Sequence, residues 1–152
     1  MGNYLRLRFL DDGDGTGKLL ARAEADGFSG EGGAYFDVET LQEFADALRM
    51  FPLPSEDSRR SIASGYWNEK DLKLDQEHLG ISVNPACAKR GYIGIQVRMA
   101  TELWPGTRPE SRKQAVIEIL TTYEPLSKFS RDLTAVLRGS LKEAFLEGEN
   151  LS

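Results

Sequence analysis

Hydrophobic and polar positions along the chain change period several times, and each change predicts an element. Residues 4–10 alternate, with Leu5, Leu7 and Phe9 on one face and Arg6 and Arg8 on the other, the period of a half-buried strand. Residues 19–25 alternate likewise, Leu19, Ala21, Ala23 and Ala25 opposing Arg22 and Glu24. These runs flank DDGDGTGK at residues 11–18 and predict a hairpin with a long polar turn, Arg6 facing Glu24 across it. The glycines of FSGEGG, residues 28–33, predict a bulged turn leading into a short strand at 33–37, with Tyr35 and Phe36.

Asp37 then supplies an N-cap side chain, and Leu41, Phe44, Ala45 and Leu48 form one apolar helical stripe that Pro52 ends. FPLPSEDSRR, residues 51–60, reads as a surface loop. Strands are predicted at 61–66, 79–83 and 93–99, the last with Ile93, Ile95, Val97 and Met99 on one face. Residues 115–123 are apolar on both faces except at Glu118, which predicts an interior or central strand. A long helix follows from Pro125, with Leu126, Phe129, Leu133, Val136 and Leu137 on one stripe. Gly139 either ends that helix or costs it about 1 kcal/mol. Leu141 and Phe145 keep the helical spacing and predict a further turn or two. The order βββ-α-ββββ-α has too few helices for a parallel sheet. It predicts a single α+β domain over residues 1–152, a mostly antiparallel sheet of about seven strands with two helices packed on it.

The chain has 152 residues, 40% hydrophobic and 28% charged, enough to bury one core without cross-links. A lone cysteine, Cys87, cannot form an internal disulfide, and Arg6 and Arg8 interrupt any apolar leader. With no apolar stretch long enough to span a bilayer, the expectation is a cytoplasmic protein without a membrane partner. The net charge of −5 lies in the first part: residues 1–60 hold seven Lys and Arg against twelve Asp and Glu, and the remainder hold twelve of each. That balance argues against nucleic acid as a partner and is compatible with a basic protein.

Candidate chemistry was sought in the glycine and acidic clusters. Read as a calcium loop starting at Asp12, DDGDGTGK supplies Asp14, Thr16 and Gly17 at the right places, but Ala23 stands where the closing bidentate glutamate belongs. A non-helical calcium site using Asp11, Asp12 and Asp14 is the remaining metal reading, against that of a plain polar turn. Read as a phosphate loop, Gly17-Lys18 matches, but Asp12 replaces the first glycine, Leu19 replaces Ser or Thr, and no helix follows. His78 lacks a second histidine or cysteine at metal spacing and reads as an exposed histidine at the start of a strand. Cys87 reads as a free thiol in a turn, where Lys89 and Arg90 would lower its pKa. No catalytic residue, cofactor or metal ligand is assigned.

If the later strands form an antiparallel meander, one edge of the sheet gathers Tyr66, Trp67, Trp104, Arg108 and Arg112. Trp, Tyr and Arg dominate protein interfaces, so these five residues are the candidate binding surface; the competing reading has both tryptophans capping the core.

The segment FSGEGGAYFDVETLQEFADALRMFP, with the strands and helix beyond it, resembles small bacterial proteins grouped with the Wap-type immunity proteins of polymorphic toxin systems. The resemblance is carried by GFSG at residues 27–30, the acidic strand-to-helix junction at Asp37, the helix stripe Leu41, Phe44 and Leu48, the strand-rich middle and the closing helix. It implies a non-enzymatic protein that binds and neutralises a toxin domain, and it brings no catalytic residues. The rival class is a small-molecule or regulatory ligand-binding domain, which would show a concave apolar pocket with converging polar groups.

Overall fold

The computed structural model describes residues 2–50, 58–85 and 91–150. Its strands are β1 (Tyr4–Asp11), β2 (Thr16–Ala25), β3 (Phe28–Asp37), β4 (Ser61–Trp67), β5 (Leu74–Pro85), β6 (Ile93–Ala100), β7 (Gln114–Thr121) and β8 (Ala144–Glu147). The helices are α1 (Val38–Ala47), between β3 and β4, and α2 (Tyr123–Leu137), between β7 and β8. The class is α+β and the strand pairing is antiparallel, as the order of elements implied. The strands, however, divide into two sheets of four, ordered β3-β2-β1-β8 and β4-β5-β6-β7, instead of forming one sheet of about seven.

The split falls at α1, and β3 is the strand that brings the sheets together. It touches β4, β5, β6 and β7 in turn. Residues 28–33 are therefore not a turn but the first half of a ten-residue strand. The turn is the Asp26-Gly27 pair before it, with φ of 54° and 88°, a two-residue connection whose twist suits a hairpin. Gly30 and Gly32 face the second sheet: a Cβ on Gly30 would sit 3.0 Å from the Ala115 Cβ, and one on Gly32 2.9 Å from the Met99 Cβ. Glycine here permits backbone-to-side-chain contact between sheets.

One core unites the layers. Leu5, Leu7 and Leu19 from the first sheet, Ile81, Ile95 and Ile119 from the second, and Phe44, Phe129 and Leu133 from the helices all belong to it. The remaining side is filled by α1 on β3 and β4 and by α2 on β1 and β8, with the helices packed on each other. The Ser130 hydroxyl donates to the Ala45 carbonyl at 2.5 Å, and the Gln42 amide donates to the Thr134 hydroxyl at 3.0 Å, tying the helices by polar contacts as well. Asp37 occupies the N-cap position of α1, but its side chain makes no capping bond; the Val38 N–H donates instead to the Gly15 carbonyl at 2.9 Å. Pro52 lies outside the described residues.

Several local expectations are corrected. Arg6 pairs across the hairpin with Arg22, and Glu24 with Tyr4. Like charges at that register are relieved from outside: Glu143 accepts from Arg8 at 3.2 Å and lies 3.6 Å from Arg6, while Glu31 takes Arg22 at 2.9 Å. The strand expected to be interior, β7, is an edge, and its Val116 is 64% exposed.

Helix α2 does not continue past Gly139. That residue has φ of 82°, the Ser140 N–H donates to the Ala135 carbonyl and the Gly139 N–H to the Val136 carbonyl, the paired bonds of a left-handed helix stop. The chain reverses there and becomes β8, which extends the first sheet beside β1. Alternation replaces the helical stripe: Ala144 and Leu146 are buried, while Phe145 lies outside, stacked on Tyr4 with centroids 5.3 Å apart. Among the described residues no helix is long and apolar enough to cross a membrane.

Strand and helix make opposite forecasts for this segment. Leu146→Ala, at a fully buried site, is expected to lower stability by about 3 kcal/mol, and Phe145→Ala by only about 1 kcal/mol. Urea unfolding of the two variants checks this, and the reverse ranking would exclude the strand.

Candidate functional site

Two backbone irregularities build the aromatic end of the second sheet. The pairing of β4 with β5 slips between Ser64 and Gly65, leaving His78 as an extra residue, and again between Tyr66 and Trp67, leaving Asp75 unpaired. Such bulges bend a strand and re-aim its side chains. The first requires glycine, because a Cβ at Gly65 would overlap the Gln76 carbonyl oxygen.

The bulge turns His78 inward. It is 4% exposed, which corrects the expectation of an exposed histidine. Its ring meets Tyr66 edge-on at 4.6 Å, and its Nε2 lies 2.9 Å from the Gln76 Oε1. That oxygen also accepts the Leu103 N–H at 3.1 Å, while the Gln76 amide nitrogen donates to the Leu103 carbonyl at 3.1 Å. The two bonds to Leu103 fix the amide orientation, so His78 Nε2 carries the proton and donates. Burial pushes the His78 pKa down from 6.5; Glu102 opposes this and Arg112 reinforces it.

Gln76 thus pins the loop that carries Trp104. The loop turns tightly at residues 104–107, with the Thr107 N–H donating to the Trp104 carbonyl at 2.9 Å, Pro105 at the first corner and Gly106 at φ of 88° at the second. Trp104 is left 61% exposed, its ring edge-on to Tyr66 at 5.9 Å. The Tyr66 hydroxyl donates to Glu102 at 2.7 Å, and burial followed by that bond raises the phenol pKa, so Tyr66 remains a donor at neutral pH.

The five predicted surface residues are not one patch. Tyr66 and Trp104 touch, and the half-buried Arg112 donates to the Glu77 carbonyl at 3.2 Å. Arg108 is exposed and paired with Glu110 at 2.9 Å. Trp67 follows Tyr66 directly but, beyond the second register slip, joins a different surface. Its indole N–H reaches the Ser64 hydroxyl at 3.3 Å, and it lines a groove of about 500 Å³ with Tyr35, Phe36, Asp37, Thr40 and Ser64. Gln76 and Glu102 were missed by sequence reasoning, and His78 was read as exposed; the glycine before Tyr66, inside a strand pattern, was the signal for the bulge that recruits them.

Beside this cluster, Arg98 lies flat on the outer face of the second sheet. It donates to both oxygens of Glu77, at 3.0 to 3.3 Å, and to Ser82 and Gln96 at 2.9 and 2.8 Å. Gly80 lies under the fork, where a Cβ would overlap both the Glu77 and Arg98 side chains.

The DDGDGTGK turn closes on itself. Asp11 accepts the Gly13 N–H at 2.8 Å, and Asp14 accepts the Thr16 hydroxyl at 2.7 Å and its N–H at 3.1 Å. These bonds hold the Asp14 carboxyl below its usual pKa. Among the described residues no group of three or more His, Cys, Asp or Glu is arranged to hold a metal ion. Cys87 lies outside the described residues.

The buried neutral histidine sets a pH dependence. The unfolded chain binds a proton at His78 near pH 6.5 and the folded one only at lower pH, so folding keeps its full stability above 6.5 and loses it as pH falls below. His78→Gln is expected to flatten this part of the profile, as read by urea unfolding between about pH 7 and pH 5; an unchanged slope would mean that His78 titrates alike in both states. No family model matches the chain, and neither does any curated protein or solved structure.

Proposed function

We propose that this chain is a non-enzymatic protein-binding domain whose docking surface centres on Trp104 and Tyr66, and that its partner is a bacterial toxin domain which it neutralises in the cytoplasm. One observation carries the binding reading: a tryptophan 61% exposed, on a loop tied down by paired Gln76–Leu103 bonds and backed by Tyr66 and His78 in edge-on contact. An exposed tryptophan on a mobile loop would lose conformational freedom on binding. One already held in place contributes its apolar area at little further entropic cost. The toxin identity follows from the resemblance to the Wap-type immunity group, and the net charge of −5 suits a basic partner.

A ligand-binding reading has its own support in the groove beside Trp67, where Thr40, Asp37 and Ser64 bring polar atoms to an aromatic wall of Tyr35 and Phe36. The two readings separate by mutation, because Trp67 and Trp104 stand on different surfaces.

The decisive experiment looks for a toxin-bearing reading frame beside the gene and mixes this protein with the toxin domain it encodes. A complex is expected, and Trp104→Ala should weaken it by about 2 kcal/mol, roughly thirtyfold in Kd, with thermal stability nearly unchanged. Absence of a complex would exclude the immunity role. A complex weakened by Trp67→Ala and not by Trp104→Ala would move the surface to the groove.

A further inference from the structure

The two sheets end in four edge strands, and three of them are obstructed. β8 has four residues. β4 is broken by its two register slips. β3 lies against the second sheet, and its Tyr35 carbonyl accepts from the Ser64 hydroxyl at 2.5 Å. β7 also packs against β2 and β3, but its ladder differs: eight consecutive pairs join it to β6 with no slip, and it contains no proline, lysine or arginine. Long, regular, unguarded edges are what proteins ordinarily avoid.

The direction of the free backbone groups follows from alternation. The Leu120 carbonyl faces away from β6, since it accepts the Glu149 N–H at 2.7 Å. Residues two and four before it point the same way, so Val116 and Glu118 turn both N–H and C=O outward, along the uncovered part of the edge. A cleft of about 520 Å³ runs beside them, between β7 and the turn joining β2 to β3. Ala25, Ile117 and Phe28, the last 74% exposed, give it an apolar floor. Asp26 and Glu149 give it a rim on which no Lys or Arg stands, and neither makes a salt bridge among the described residues; the Glu118 carboxylate lies back over Gly94 of β6.

We propose that β7 is a docking edge for an extended segment of a partner protein, one that alternates apolar and basic residues and adds itself as a fifth strand of the second sheet. The backbone of Val116 and Glu118 pairs with the incoming strand. Its apolar side chains enter the cleft over Phe28, and its basic ones meet Asp26 and Glu149. Charge selects against a second copy of this chain, because pairing β7 with itself would bring two sets of these carboxylates together. This surface is distinct from the Trp104 end, and the inference stands whether or not that end binds a toxin.

The probe is a short synthetic peptide alternating lysine and valine, titrated into the full chain with amide hydrogen exchange followed by NMR. Binding is expected to slow exchange at Val116 and Glu118. Methylating alternate peptide nitrogens, or replacing lysine by glutamate, should weaken binding at least about tenfold. Val116→Pro, which removes one outward N–H and leaves the β6–β7 bonds intact, should do the same, while Trp104→Ala should leave affinity unchanged. If Val116→Pro unfolds the chain, the methylated peptide alone decides. Absence of binding, protection elsewhere, or indifference to methylation would overturn the proposal. So would sedimentation showing that copies of the chain pair through β7.

Discussion

The close approach of β3 to the second sheet is the contact around which everything else is arranged. Two glycines, Gly30 and Gly32, let a strand backbone rest on Met99 and Ala115. A side chain at Gly32 would press on the Met99 Cβ and one at Gly30 would force its neighbours to give way, and interiors tolerate little of that, since they are packed near crystalline density. With the sheets held together along β3, the remaining wedge is of a size that α1 and α2 fill. The hydroxyl of Ser130 and the amide of Gln42 then settle how the helices meet.

Much of this fold was legible in residue patterns, and the misses have physical causes. Strands β1 and β2, helix α1 and the stripe of α2 were visible because each has one wet face and one dry face. The division into two sheets was not, because the period of a strand reports which side is buried and never which neighbour does the burying. Leu141 and Phe145 kept helical spacing by coincidence, and the left-handed Gly139 between Leu137 and Leu141 overrode it. Val116 and Leu120 made β7 look interior, although both face outward at an edge.

The aromatic end was only half readable. Tyr66 and Trp104 could be placed together because an antiparallel meander returns to the same edge. Trp67 was misplaced with them because it adjoins Tyr66 in sequence. The residues that hold the site, Gln76 and His78, gave no sign of their role in composition or motif. Their placement depends on one extra residue in β5, and a slip of that kind moves a polar side chain from solvent into the core with only Gly65, on the neighbouring strand, to mark it. The cost of burying a histidine is offset by keeping it neutral and giving its proton to an amide already fixed by two other bonds.

The pairing of β1 with β8 bears on how the chain comes into being. Tyr4 to Leu7 find their outer partners only in Ala144 to Glu147. During translation, the outer side of β1 therefore stays unpaired until Ala144 to Glu147 have left the ribosome, while its inner hairpin with β2 can close early. A nascent chain in that state exposes a strand edge and the apolar residues Leu5 and Leu7, the kind of surface that chaperones hold and that aggregation exploits. Contacts so distant along the chain also slow the final folding step relative to a helical protein of equal length. The stop at Gly139, by turning the chain back toward its beginning, is what brings that interval to an end.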